Sequence, residues 1–183
     1  MKVLLDTCVI YPTVMRQMLL GVAAQGVFTP LWSERILDEW QRAALKLGPD
    51  GAAQAESERA GLSARWPDAI TDWPASLEDR LWLPDPADIH VLAAAISGSA
   101  DVIVTLNAKD FPRHILSEEG LSRADPDAFL HGIHDAQPEL VHEVAGHVRA
   151  EAQRLSGPDW SLRSLMKKAR MPRLGKALER AAS

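Results

Sequence analysis

The stretch DVIVTLNAKD, residues 101–110, decides the fold of this chain. Its first six residues are rich in β-branched side chains and are bounded by polar turns, so they predict a buried strand. The next four residues, 107–110, predict the exit loop of that strand and carry several oxygen ligands. A short buried strand that follows a helical segment is typical of a parallel sheet in an α/β protein.

Working outward, shorter signals of the same kind precede this stretch. Strands are predicted over residues 2–5 with Val9 and Ile10, over 27–31 and over 81–83. Helices are predicted over residues 14–24, from an N-cap at Ser33 as far as the break at 48–51, over 52–66 and over 89–97. Strands that alternate with helices indicate a parallel sheet joined by right-handed crossovers.

The pattern changes after Asp125-Pro126, where the chain reads as helices without strands. We therefore predict one domain over residues 1–127 and a helical C-terminal extension over 128–183. The net charge of the chain is −5, and residues 161–183 hold seven Lys or Arg and one Glu. This end is thus +6 on a body of −11, and it is either a surface for phosphates or an ordinary solvated helix face.

Four acids stand where a parallel sheet gathers side chains at its carboxyl edge: Asp6, Glu39, Asp88 and Asp110. Carboxylates brought together raise one another's pKa unless a cation neutralises them. Oxygen ligands without sulfur suit Mg²⁺ or Mn²⁺. The single cysteine, Cys8, excludes an internal disulfide and a cysteine-based zinc site.

Each acid alone also has a plainer interpretation. Taken alone, Asp6 is explained by a turn or cap position. Glu39 alone is explained as a solvated surface glutamate, and the periodicity does not choose between it and Asp38. One of Asp85 and Asp88 is expected to cap the helix that follows. The four acids indicate a metal site only when they are considered together.

Together the segments VLLDTCVIYP, SERILDEW, PDPADIHVLAAAI and ADVIVTLNAKDFP resemble the PIN-domain nucleases over roughly residues 1–130. The chain is similar to the VapC-type toxins of bacterial toxin–antitoxin systems. The resemblance implies a three-layer α/β/α fold around a parallel sheet. It also implies a Mg²⁺- or Mn²⁺-dependent endoribonuclease that hydrolyses single-stranded RNA.

Carried over by position, the resemblance makes Asp6, Glu39, Asp88 and Asp110 the catalytic and metal-binding acids. The family often has Asp where this chain has Asn107, and Asn where it has Cys8. The fourth ligand is therefore either Asp110 or Asn107 through its amide oxygen. The candidate substrate contacts are Thr7, His90, Thr105 and Lys109.

The resemblance further implies RNA and a cognate antitoxin as partners, and a homodimer. The N-terminus lacks the pattern of a secretory signal, and no apolar run approaches the roughly 20 residues of a membrane span. We therefore expect a cytoplasmic protein with no membrane contact. The alternative is a catalytically weak or inactive module that binds protein or RNA through its helical basic C-terminus.

Overall fold

The computed structural model describes residues 1–46, 48–156 and 159–180. Its sheet has four parallel strands in the order β2-β1-β3-β4: β1 (Lys2–Leu5), β2 (Thr29–Leu31), β3 (Val102–Val104) and β4 (Ser122–Ala124). Helices flank this sheet, so the predicted α/β/α fold with its helical C-terminal extension is confirmed.

The helices follow in chain order: α1 (Thr7–Ile10), α2 (Thr13–Ala24), α3 (Glu34–Leu45), α4 (Pro49–Arg65), α5 (Ala75–Arg80), α6 (Ile89–Ser97), α7 (Arg113–Glu118), α8 (Pro126–Ala136), α9 (Pro138–Ser156), α10 (Leu162–Lys168) and α11 (Pro172–Arg180). A single 3₁₀ turn, Pro86–Asp88, leads into α6. Ser33 caps α3 as predicted, since its hydroxyl accepts a hydrogen bond from the Ile36 N–H at 3.2 Å.

Register places the two central strands side by side at their carboxyl ends. Leu5 of β1 pairs with Val104 of β3, and the Asp6 N–H donates to the Val104 carbonyl at 3.2 Å. Leu4, Leu5, Ile103 and Val104 are fully buried. The next residue on each strand, Asp6 and Thr105, therefore emerges at the same edge although 99 positions separate them.

Several local predictions are wrong. Val9 and Ile10 lie in the short helix α1, because the chain turns at Asp6 as soon as it leaves the sheet. Residues 81–83 form no strand, although Leu83 is buried. Helix α4 begins at Pro49, inside the stretch predicted as a break, because proline is well suited to the first helical position. The short elements β4 and α7 had no clear signal in the sequence.

Close packing divides the described chain into two compact units. The first comprises residues 1–11 and 28–124 and holds the sheet. The second comprises residues 12–27 and the described residues from 125 onward, so α2 belongs with the C-terminal helices. The predicted domain boundary between residues 127 and 128 stays a prediction.

In the second unit α2 packs on α8 and α9, and α11 packs on α8 and α10. The approach of α2 to α9 depends on a small residue, since a Cβ added at Gly21 would lie 2.6 Å from Val144 Cγ1. No described helix of either unit combines the length and the hydrophobicity that crossing a bilayer requires.

Candidate metal centre

Asp6 is held at the edge of the sheet by two neighbours. The Thr105 hydroxyl donates to Asp6 Oδ2 at 2.7 Å, and the Cys8 thiol donates to the same oxygen at 3.1 Å. Asp6 is 7% exposed, and within the described residues its Oδ1 has no hydrogen-bond partner. One oxygen of this carboxylate is therefore fixed while the other stays available as a ligand.

A second group of acids lies where the chain enters α6. One carboxylate oxygen from each of Asp85, Asp88 and Asp110 lies within 4.8 Å of the others. Asp85 also caps the 3₁₀ turn, since its Oδ1 accepts from the Ala87 N–H at 2.9 Å. Asp88 precedes α6 but makes no capping hydrogen bond. The capping role expected for one of these two acids thus belongs to Asp85, and Asp88 is left for the site.

Asp88 is the electrostatic centre of the cluster. Burial and the negative charges of Asp6, Asp85, Asp110 and Glu39, in that order, raise the pKa of Asp88 to about 6. Each of these groups disfavours a negative charge on the Asp88 carboxylate. Three of the predicted acids, together with Asp85, therefore act on the fourth, Asp88.

Asn107 lies against this centre. Its Nδ2 donates to Asp88 Oδ2 at 2.9 Å, and its backbone N–H donates to the Thr105 hydroxyl at 2.9 Å. The amide is thus a hydrogen-bond donor to one predicted ligand. Because Nδ2 faces Asp88, only the amide oxygen is left for a cation, and the choice between Asn107 and Asp110 as fourth ligand stays open.

Glu39 is held at both carboxylate oxygens. Thr7 donates its hydroxyl hydrogen to Oε2 at 3.0 Å, while His90 Nε2 lies 3.0 Å and Arg35 Nε lies 3.6 Å from Oε1. The neighbouring Asp38 pairs with Arg59 at 2.6 Å. The structure thereby resolves the choice that periodicity left open, because Glu39 faces the site and Asp38 faces α4.

His90 is 1% exposed and links α6 to α3 through Glu39. Burial lowers the pKa of His90, against the opposing effect of the Glu39 carboxylate. The neutral ring carries its proton on Nε2 in order to donate to Glu39, and Nδ1 has no partner in the described part of the chain. Such a buried ring is better placed to orient Glu39 than to contact a phosphate.

Cys8 occupies the position where the family often has Asn. Its thiol donates to Asp6 Oδ2 and accepts from the Leu106 N–H at 3.2 Å. Burial, followed by the Asp6 charge, raises the pKa of the Cys8 thiol to about 12. The sulfur is therefore a neutral hydrogen-bond donor and not a thiolate ligand.

The remaining predicted substrate contacts differ in accessibility. Thr105 is 2% exposed and bonded to Asp6. The Lys109 side chain is 86% exposed, with Nζ 3.9 Å from Asp110 Oδ2. Of these two, only Lys109 is open to a substrate in this structure. The predicted roles of Thr7, His90, Thr105 and Lys109 toward a substrate stay predictions.

The donor set fits a hard divalent cation. Asp6, Asp85 and Asp88 each have one oxygen held by a protein donor and one without a described hydrogen-bond partner. The negative charges of these acids repel one another, as the raised pKa of Asp88 indicates, and a bound dication would relieve this repulsion. The sequence prediction left the capping role to either Asp85 or Asp88 and did not include Asp85 among the metal ligands. The spacing of DPAD, which starts and ends a single turn with an acid, was the signal for its second role.

The parallel sheet and the carboxylates at its carboxyl edge define an α/β protein with a candidate metal centre. The family model described as PIN domain matches residues 2–109, and the chain belongs to this family. PIN domains are generally metal-dependent nucleases that use divalent ions. No curated protein and no solved structure matches the chain. The more specific resemblance to VapC-type toxins stays a prediction.

Proposed function

We propose that this protein is a Mg²⁺- or Mn²⁺-dependent endoribonuclease that hydrolyses single-stranded RNA. The observation that carries the proposal is the cluster of Asp85, Asp88 and Asp110, whose carboxylate oxygens lie within 4.8 Å of one another. Burial and four surrounding carboxylates raise the pKa of Asp88 to about 6, in keeping with this crowding. Such crowding destabilises a protein without a cation, and it is typical of sites that bind one. Membership of the PIN domain family supports nuclease activity.

Asp6, Asp85, Asp88 and Asp110 would hold the ion. A bound divalent ion lowers the pKa of a coordinated water and neutralises charge on a phosphodiester. The rest of the site acts on the ligands themselves. Thr105 and Cys8 orient Asp6, and Asn107 orients Asp88.

Glu39 has a different part in this arrangement. Both of its oxygens already accept hydrogen bonds, so we assign it to holding a water molecule of the metal shell, in place of direct ligation. Lys109, exposed beside Asp110, is a cation available to a substrate phosphate.

The RNA substrate and the biological role come from the resemblance to VapC-type toxins. On that basis we propose a toxin that acts in the cytoplasm, forms a homodimer, and is inhibited by a cognate antitoxin covering the acidic site. An inhibitor of this kind would present a cation to the carboxylates, because their mutual repulsion favours one.

The test compares wild type with Asp6→Asn on total cellular RNA, with Mn²⁺ or with a chelator, followed by sequencing of new ends. We expect Asp6→Asn to cleave at least about 100-fold more slowly, since even outer-shell changes cost 10–100-fold. Asp79→Asn, which removes an exposed acid elsewhere in the first unit, should cleave like wild type.

Melting temperature separates an enzyme from a binding module. Mn²⁺ should raise the melting temperature of wild type and of Asp79→Asn, and should raise that of Asp6→Asn much less. Equal cleavage by Asp6→Asn and wild type would refute the assignment of the site. The absence of both cleavage and any Mn²⁺-induced stabilisation of wild type would favour the inactive binding module.

A further inference from the structure

A strongly basic surface lies in the second unit, on helices that the candidate metal centre does not use. Residues 161–180 carry seven cations and one acid, Glu179, and all seven cations are exposed: Arg163, Lys167, Lys168, Arg170, Arg173, Lys176 and Arg180. The chain as a whole is acidic, with a net charge of −5. These helices therefore differ in charge from the rest of the molecule.

Packing fixes which faces of α10 and α11 are charged. Leu165 and Met166 of α10, and Leu174 and Leu178 of α11, are buried. The contact is close, since a Cβ added at Gly175 would lie 3.0 Å from Met166 Cβ. The apolar faces are thus already covered, and the cations are left on the outside.

The outer face of α11 presents three cations in one row: Arg173, Lys176 and Arg180. Their spacing of three and four residues places them along a single helix face. We call these three residues the basic stripe. A regular row of charges on a helix matches a repeating chain of phosphates better than it matches a single anion.

Helix α11 is held at both ends by residues of other helices. The buried Asp127 of α8 accepts from the Arg173 N–H and the Leu174 N–H, each at 2.9 Å. Near the other end, His142 Nε2 of α9 lies 2.8 Å from the Leu178 carbonyl and donates to it. The basic stripe is therefore part of a fixed surface and not of a loose tail.

Within the described residues, the charges of this surface are largely uncompensated. Arg163 pairs with Glu179 at 2.6 Å, and Lys168 lies over the Trp160 ring at 4.7 Å. No carboxylate lies within 4.0 Å of a basic-stripe cation anywhere in the described ranges. Like charges in a row repel one another, and a bound polyanion would relieve that repulsion.

We propose that the basic stripe binds the phosphate backbone of single-stranded RNA. The inference rests on the proposed function only in choosing RNA as the polyanion. The binding is independent of base sequence, because backbone contacts carry no sequence information. It gives the protein a second RNA contact, separate in the chain from the acids of the metal centre.

The experiment measures binding of a labelled single-stranded uridylate oligonucleotide to the full chain over a series of KCl concentrations. Asp6→Asn is the background, so that RNA is not cleaved during the measurement. Arg173→Gln/Lys176→Gln/Arg180→Gln is compared with Arg42→Gln/Lys46→Gln/Arg65→Gln, which removes three exposed cations from the first unit. Melting temperatures of both variants establish that they fold.

In the basic-stripe variant, log K should fall less steeply with log salt concentration, and the magnitude of the negative slope should decrease by about 2. Each phosphate contact on a single strand contributes about 0.7 to that magnitude. The control variant should retain the slope of its background. An unchanged slope in a folded basic-stripe variant, or an equal decrease in the control, would overturn the proposal. So would a labelled polyglutamate peptide that binds more tightly than RNA with the same dependence on the stripe, because that identifies an acidic protein segment as the occupant.

Cleavage is scored separately with the wild-type chain. A protein that binds RNA through the stripe and cuts nothing would end the nuclease proposal and leave this one standing. If the wild-type protein cleaves RNA but the basic stripe contributes nothing to binding, the nuclease proposal stands and the proposal of a second RNA contact falls.

Discussion

Asn107 donates a hydrogen bond from its Nδ2 to Asp88 Oδ2 across 2.9 Å. The family often has Asp at the position of Asn107. A neutral amide at this position removes one charge from a crowded site and supplies a donor. It thereby stabilises the charged form of Asp88, whose pKa is nevertheless raised to about 6 by burial and the surrounding acids.

Replacing Asn107 by Asp should make the thermal stability of the protein depend more strongly on bound metal. The change exchanges a donor for an acid beside Asp88, so the metal-free protein should melt at a lower temperature at neutral pH. Saturating Mn²⁺ should stabilise Asn107→Asp more than it stabilises wild type. Thermal melts with Mn²⁺ and with a chelator check both points. Asn107→Ser, which removes the amide without adding charge, is the control.

The Asp88 carboxyl predicts a particular pH dependence of the metal-free protein. Its folded pKa of about 6 lies above the ordinary value of 3.8, so the folded state binds this proton more tightly than the unfolded state does. The stabilisation by protonation is fully present below pH 3.8 and is lost as the pH rises through about 6. Stability from this group therefore falls between those two values.

Asp88→Asn removes that dependence. At pH 7.5 without metal the variant should be more stable than wild type by about 1 kcal/mol, after discounting the shift for solvent screening. This corresponds to about 3 °C in melting temperature for a chain of this size. Below pH 4 the two proteins should melt alike. A variant that is less stable than wild type at pH 7.5 would contradict the repulsion inferred at this site.

The positions of Asp6, Asp88 and Asp110 were predictable from sequence because each lies next to a recognisable element. Asp6 and Asp110 follow apolar strands, and Asp88 precedes the small, apolar helix α6, which the structure confirms over residues 89–97. The rule that parallel strands gather their carboxyl ends then brings residues distant in sequence together. That is a topological argument, and it needs no side-chain detail.

Other features depend on contacts that periodicity does not encode. The orientation of Glu39 toward the site, in place of Asp38, is decided by Thr7, His90 and the competing partner Arg59. The membership of α2 in the second unit depends on how its face packs on α8 and α9. Strand β4 has only three residues and no apolar pattern of its own. It is stabilised by its parallel pairing with β3.

His90 should act as a positioning residue for Glu39. His90→Leu removes the donor to Glu39 Oε1 and should weaken Mn²⁺ binding by about 10-fold or more, in line with other outer-shell changes. His90→Gln, which keeps an N–H at a similar reach, should recover most of that affinity. Calorimetric titration of the metal-free protein with Mn²⁺ measures the difference directly.

A double-mutant cycle with Glu39→Gln distinguishes positioning from simple packing. If His90 acts through Glu39, the loss in Mn²⁺ affinity caused by His90→Leu should largely disappear once Glu39 is changed. Additive losses in the two variants would mean that His90 contributes to the core and not to the site.

Cys8 should be unreactive in the folded protein. With its pKa raised to about 12, the thiolate fraction at pH 8 is smaller by about 10³-fold than that of an ordinary thiol. Reaction with a thiol-specific chromogenic reagent should therefore be slow in the native protein and fast after unfolding in urea. Rapid native reaction at pH 8 would mean that Asp6 and Thr105 do not enclose the sulfur as the structure shows.

Asp127 should be a large contributor to the stability of the second unit. Its two carboxylate oxygens accept the first free N–H groups of α11, and the residue is 6% exposed. Asp127→Ala leaves both N–H groups without that acceptor, so we expect a loss of about 2 kcal/mol in the free energy of unfolding. Glu139→Ala, at an exposed position in the first turn of α9, should cost little. Urea melts of the two variants provide the comparison.

Because Asp127 fixes the end of α11 that carries Arg173, Asp127→Ala should also weaken RNA binding at low salt while every cation of the basic stripe is retained.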